Sequence, residues 1–164
     1  MKPADQLSRS LWLLREQMEQ LVCALEIQQL VLLNNRVRWL PMVSENVEHL
    51  VDDIRRSEAD RIAISRRVCR DLGLHDDASL SDLVRTAEEP YATAWRQSRL
   101  QLLGLQSELD ELSRENRELT RRGASAANDV LRAITGHADG HDTYDPLGGS
   151  QRLADPVSNF DRTA

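Results

Sequence analysis

Between Trp95 and Ile134 an apolar side chain returns every three or four residues. Trp95, Leu102, Leu105, Leu109, Leu112, Leu119, Ala126 and Val130 fall on one stripe, with Ser98, Asn116 and Gly123 in the intervening turns. This is the a/d spacing of a helix with one adhesive seam. The residues between the stripe positions, among them Glu108, Glu111, Arg114, Glu118 and Arg122, belong in water. A helix of about 40 residues spans roughly 60 Å at ~1.5 Å per residue. No compact core of this chain could wrap such a rod, so other long helices must lie along it.

Two earlier stretches repeat the pattern. Leu7, Leu11, Leu14, Met18, Leu21, Leu25 and Leu32 alternate steps of four and three, with Gln28 the single polar residue on the stripe. Asp5 or Ser8 is placed to cap the start of this helix. Pro41 must end or kink it, because proline lacks a donor and clashes with the preceding turn. The spacing predicts a helix over about 5–39, and Val22, Leu30 and Leu33 widen its stripe beyond one neighbour. The second stretch, predicted over about 44–72, carries Val47, Leu50, Ile54, Ile64 and Val68. Ser57 and Arg61 stand at its middle seam positions, so packing should be weakest there. Leu72-Gly73 reads as its end, with glycine free to take the left-handed conformation that satisfies the last carbonyls.

Ser79 and Asp82 resemble a capping box opening a short helix over about 79–89, with Leu80, Leu83, Val84 and Ala87 on one face. Pro90 suits the first turn of the final helix, about 91–135, where its missing donor costs nothing. After Ile134 the character changes to Gly136, Gly140, Pro146, Gly148, Gly149 and Pro156, with scattered aspartates. Too few apolar groups remain to offset ordering entropy, so residues 136–164 are expected to be a disordered tail. The fold class that follows is all-α: an elongated antiparallel three-helix bundle over residues 1–135 with coiled-coil-like packing, a short extra helix and a disordered C-terminal tail.

Charge and chemistry narrow the function. A net charge of -6 argues against nucleic acid as the main partner, and Arg55-Arg56 and Arg66-Arg67 sit among acids as solvated helix faces. Cys23 and Cys69 form no close-spaced pair and read as structural thiols of a reducing compartment. No signal-peptide core opens the chain, and runs such as Leu30 to Leu33 are far short of a membrane span, so a cytoplasmic location without membrane insertion is expected. His137, Asp139, His141 and Asp142 look like metal ligands, but Gly136 and Gly140 deny them a scaffold, and no metal or other cofactor is expected. No catalytic constellation and no phosphate loop is present, so an enzyme is the least expected class. Asn116 either fixes register at a cost in stability or lies partly exposed at a loosely packed point. Beyond the small residues from Gly123 to Ala127, the patch Val130, Leu131 and Ile134 is either core or a partner groove.

Taken in order, several segments resemble the FlgN family of flagellar export chaperones, in its actinobacterial form. They are Leu30-Val31-Leu32-Leu33, Arg38-Trp39-Leu40-Pro41, Asp71-Leu72-Gly73-Leu74, the element from Ala78 to Leu83, and Glu88-Glu89-Pro90-Tyr91. They continue with Glu115-Asn116-Arg117-Glu118-Leu119 and Thr143-Tyr144-Asp145-Pro146-Leu147-Gly148, which is similar to the family's Thr-Tyr-x-x-x-Gly element. The resemblance implies a non-enzymatic three-helix protein. Its partners would be hook-associated proteins of the hook–filament junction, held unassembled by their C-terminal segments, and a component of the flagellar export gate. On these residues it makes Asn116, Leu119, Val130, Leu131 and Ile134 candidates for gripping a client, and Tyr144 a candidate for client or gate docking. The rival expectation is a self-associating coiled-coil scaffold.

Overall fold

The computed structural model describes residues 2–138, with side chains as far as residue 135. Its elements are α1 (Pro3–Leu33), a 3-10 turn (Val37–Trp39), α2 (Leu40–Asp71), α3 (Leu80–Thr86) and α4 (Tyr91–Ala138). The fold is all-α, a helical bundle with a short extra helix, and no strand occurs among the described residues. The chain divides into two compact units, Met1–Ala127 and Asn128–Ala164. The tail expected over 136–164 falls almost entirely outside the described residues.

In the first unit, α1 and α2 form an antiparallel hairpin, and α4 runs parallel to α1. Tyr91 bonds Asp5, Trp95 bonds Ser8, Asn116 bonds Leu25 and Gln28, and Gln29 bonds Glu115, all at separations between 86 and 91 residues. Such a nearly constant offset is the mark of parallel register, so α2 must carry the chain back between the two. The heptad-like stripes make this possible, since each helix presents one apolar face along its length.

The hydrophobic core is thickest where the start of α1, the end of α2, α3 and the start of α4 converge. Leu7, Leu11, Val68, Cys69, Leu83 and Trp95 are essentially inaccessible there, with Ile64, Leu74, Leu80, Val84 and Leu102 packed around them. The Trp95 indole donates to Ser8 Oγ at 2.9 Å, which satisfies the one polar atom of that ring. The Tyr91 hydroxyl donates to Asp5 at 2.6 Å. Bonding to Tyr91 is the main cause that lowers the pKa of Asp5, and bonding to Asp5 raises that of Tyr91.

Helix ends follow capping chemistry, with several shifts from the expected boundaries. The first helix stops at Leu33, not near residue 39. Asn35 takes a left-handed φ of 52°. The amides of Asn35 and Arg36 close back on the carbonyls of Leu32 and Val31, the paired bonds of a Schellman motif. Asparagine tolerates that conformation better than most residues. Pro41 therefore breaks nothing; it sits in the first turn of α2, which begins at Leu40 rather than Ser44. The same motif recurs at the end of α2, where Gly73 has φ 71° and the amides of Gly73 and Leu74 reach the carbonyls of Arg70 and Cys69. At the chain start the helix begins at Pro3. Asp5 accepts from the Lys2 amide, while Ser8 serves Trp95 and is no cap.

Ser79 and Asp82 do form the capping box. Asp82 N–H donates to Ser79 Oγ at 3.2 Å and Ser79 N–H to Asp82 at 2.9 Å. The helix they open spans only Leu80–Thr86. With the Ser79 hydroxyl and amide and Arg85 all donating to it, the Asp82 carboxyl is lowered to about 2. The α4 helix opens on Pro90, whose carbonyl accepts the amide of Ala94, while Glu89 accepts from Thr93. Cys69 is buried as expected, but Cys23 is exposed, so only one thiol acts as core.

Candidate functional site

Three features of the described chain present chemistry to a partner. The first is a polar layer inside the bundle. Asn116 is 4% exposed and donates through Nδ2 to the Leu25 carbonyl at 2.8 Å and to Gln28 Oε1 at 3.1 Å. Gln28 in turn donates to Ser44 Oγ at 3.0 Å. The polar exceptions on two seams thus meet each other and a serine of the third helix. Burying an amide costs least when it is bonded; here Nδ2 of Asn116 is paired twice, while its buried Oδ1 has no partner among the described residues. The partly exposed alternative for Asn116 is not realised, since its side chain lies inside the bundle.

The second feature is a pair of grooves in the first unit. One, of about 690 Å³, lies where Arg61 interrupts the seam of α2, with Leu14, Met18, Ile54, Ile62, Leu102 and Leu103 on its walls. A large charged side chain cannot fill the seam as an aliphatic one would, so the faces of α1 and α4 stay partly uncovered. Arg61 is held by both oxygens of Glu58 at 2.7 Å, a bidentate pair that raises the arginine's pKa. The other groove, also about 690 Å³, lies beside the end of α1 and has Leu33 and Leu119 with Arg114, Arg117, Arg121 and Arg122 on its walls. Leu119 is half-buried there. Glu118 accepts from Arg121 and Arg122, and these bonds lower its pKa to about 2.

The third feature belongs to the second unit. Val130, Leu131 and Ile134 are 59%, 58% and 63% exposed, and their i, i+1, i+4 spacing places them on one side of α4. Of the two alternatives open for this triplet, burial within the described chain is not realised. Tyr144 lies outside the described residues. The structure thus places Asn116 and Leu119 in the bundle of the first unit and leaves the aliphatic triplet of the second exposed.

Sequence reasoning missed the tip where α1 turns into α2 as a surface, and Leu30 and Leu33, expected to meet a second neighbour, are exposed there instead. Ile27, Leu30, Leu33, Val37, Trp39 and Met42 are all exposed there. The signal was legible, since no acid interrupts the chain from Ile27 to Ser44.

Among the described residues no helix is long and apolar enough to cross a membrane, and no group of three or more side chains could hold a metal ion. No curated protein and no solved structure matches the chain. The family model described as FlgN protein matches residues 1–152. On that match, which spans the bundle and the polar layer at Asn116, the chain belongs to the FlgN family, whose members are flagellar export chaperones and not enzymes.

Proposed function

We propose that this protein is a cytoplasmic type III export chaperone for hook-associated proteins of the hook–filament junction. It binds the C-terminal segments of those clients and delivers them to the export gate. The observation that carries this reading is the outward triplet Val130, Leu131 and Ile134 on α4 in a chain of the FlgN family. Three aliphatic side chains left in water on one helix side are a poor end state for a monomer and a suitable grip for an amphipathic helix. Client segments that assemble only after export are disordered beforehand. Ordering such a segment on binding keeps the affinity moderate and release feasible. Leu119 and Tyr144 are the further contacts we assign to this role. Asn116, buried in the first unit, is the remaining candidate for this role.

Calorimetry against the C-terminal segments of hook-associated proteins from the same organism tests the proposal. Saturable binding near one-to-one is expected, lost in Leu131→Asp/Ile134→Asp and in a chain ending at Arg122. Loss of helical content in the double variant would instead make those residues core. Absent binding, with a concentration-dependent oligomer in light scattering, would favour the coiled-coil scaffold.

A further inference from the structure

The tip of the α1–α2 hairpin places exposed apolar side chains beside cations, with no acid between Ile27 and Ser44. Six large apolar side chains, Ile27, Leu30, Leu33, Val37, Trp39 and Met42, are between 44% and 61% exposed there. Over the same span the only charges are the cations Arg36 and Arg38, in a chain of net charge -6. Arg38 lies over the Trp39 ring at 4.7 Å. Beside the tip, the groove that includes Leu33 carries Arg114, Arg117, Arg121 and Arg122 against only two acids, Glu115 and Glu118. Both acids are already engaged, Glu115 by Gln29 and Glu118 by Arg121 and Arg122. The groove thus keeps a formal excess of two positive charges, four arginines against two glutamates, and with Arg36 and Arg38 it sets cations around an apolar centre bounded by Glu26 and Glu45.

Its shape and composition decide between possible occupants. Leu33 borders the arginine-rich groove, but Val37, Trp39 and Met42 stand at a chain reversal and line neither groove described, whereas a partner helix needs a groove to cover its own apolar face. A second copy of the tip would bring like charges together, which opposes association. A lipid surface needs no groove: short apolar side chains enter the headgroup boundary, a tryptophan settles at the interface, and arginines meet anionic headgroups.

We propose that the hairpin tip, through Leu33, Val37, Trp39 and Met42 flanked by Arg36 and Arg38, docks peripherally on an anionic phospholipid surface. The contact is reversible, because the inserted area is small and no described helix can span a bilayer. Its inserting residues are distinct from the Val130–Ile134 triplet assigned to clients, and only Leu33 shares a groove with the client contact Leu119.

Co-sedimentation of the full chain with vesicles tests this. Binding to phosphatidylglycerol–phosphatidylethanolamine vesicles is expected, weakening as salt screens the arginines, with little binding to phosphatidylcholine vesicles. Arg36→Glu/Arg38→Glu should weaken binding roughly tenfold or more by reversing two interfacial charges. Val37→Asp/Met42→Asp should weaken it similarly by removing the inserted groups. Both variants change exposed residues, so unchanged circular dichroism is expected, and either variant suffices if the other misfolds. Leu131→Asp/Ile134→Asp should bind vesicles like the parent chain whether or not it binds clients. The proposal is overturned if the parent chain binds neither vesicle type, or if binding survives both tip variants. It is equally overturned if the tip variants lose only self-association or peptide binding.

Discussion

The two ends of α1 carry similar aliphatic residues and meet opposite fates. Near its start Leu7 and Leu11 are wholly buried, while near its finish Leu30 and Leu33 are 59% and 61% exposed. Propensity does not distinguish them, since leucine serves either environment in a helix. Part of the difference is helix face, since Leu7 and Leu11 stand on the seam of α1 while Leu30 and Leu33 flank the seam residue Leu32; the rest is what lies against each end. At the start, α3 and the Schellman turn after α2 bring Leu83, Leu74 and Leu80 onto the seam, and Trp95 fills the remaining space. At the finish a tight turn closes the hairpin and α4 borders it with polar side chains, Glu115 bonding Gln29, so no apolar element covers the off-seam leucines. Burial in a bundle of long helices depends on how many elements converge at a level, and seven residues of α3 are enough to change it.

The comparison can be broken most severely at the closed end. Trp95→Ala should lower stability by about 3–5 kcal/mol, the usual cost of deleting a large buried aromatic, read from denaturant midpoints. A loss no larger than that of a surface change would mean the core is not where α3 converges. Next, Asn116→Ala should cost about 1–3 kcal/mol, because it strands Gln28 Oε1 and removes a donor to the Leu25 carbonyl. A double-mutant cycle with Gln28→Ala should then return a coupling of roughly 0.5–3 kcal/mol, and zero coupling would remove the polar layer as a unit.

Ser79→Ala should cost about 1 kcal/mol through the lost cap of α3, and it should loosen the closed end alone, visible as faster amide exchange around Leu83. Acid sharpens the contrast further. Asp82 is lowered from 3.8 to about 2, and Glu118 from 4.5 to about 2. A carboxyl whose folded pKa is depressed stabilises the fold fully above its ordinary value and loses that contribution as pH falls toward the folded one. Stability should therefore decline between about pH 4.5 and pH 2, and Asp82→Asn should flatten part of that decline; an unchanged profile would dissociate the carboxyl from the cap. The smallest effect belongs to the open end, where Val37→Asp should move stability by no more than about 0.5 kcal/mol. A larger loss in thermal unfolding would show that the tip is packed after all.

Much of this was legible beforehand, for physical reasons that differ by element. The three seams were plain because burial along a helix imposes its period on the sequence. The stop at Gly73 and the box at Ser79 were plain because each cap needs a particular residue type. The stop at Asn35 was not, because asparagine there is permitted rather than required, and Pro41 offered a stronger but misleading signal: proline ends one helix and starts another with equal ease. Gln28 and Asn116 each stood out as polar residues on apolar stripes, yet their partnership needed the parallel offset of α1 and α4, which no local pattern encodes. The broken seam at Arg61 was foreseen as weak packing and emerged as a groove. Of the residues carried over by family resemblance, Val130, Leu131 and Ile134 stay outward and Leu119 lines a groove, whereas Asn116 belongs to the interior.

The parallel pairing of α1 with α4 also governs the order in which a ribosome can complete this protein. Ser8 must wait for Trp95, 87 residues later, and at about 5–20 residues per second that interval is roughly 4–17 s. During it the emerging α1–α2 hairpin lacks its third face, so Leu7 and Leu11 stand in water or against a cellular holdase. Protease sensitivity of arrested nascent chains should drop sharply only once Trp95 clears the exit tunnel; protection gained earlier would mean the hairpin folds without α4.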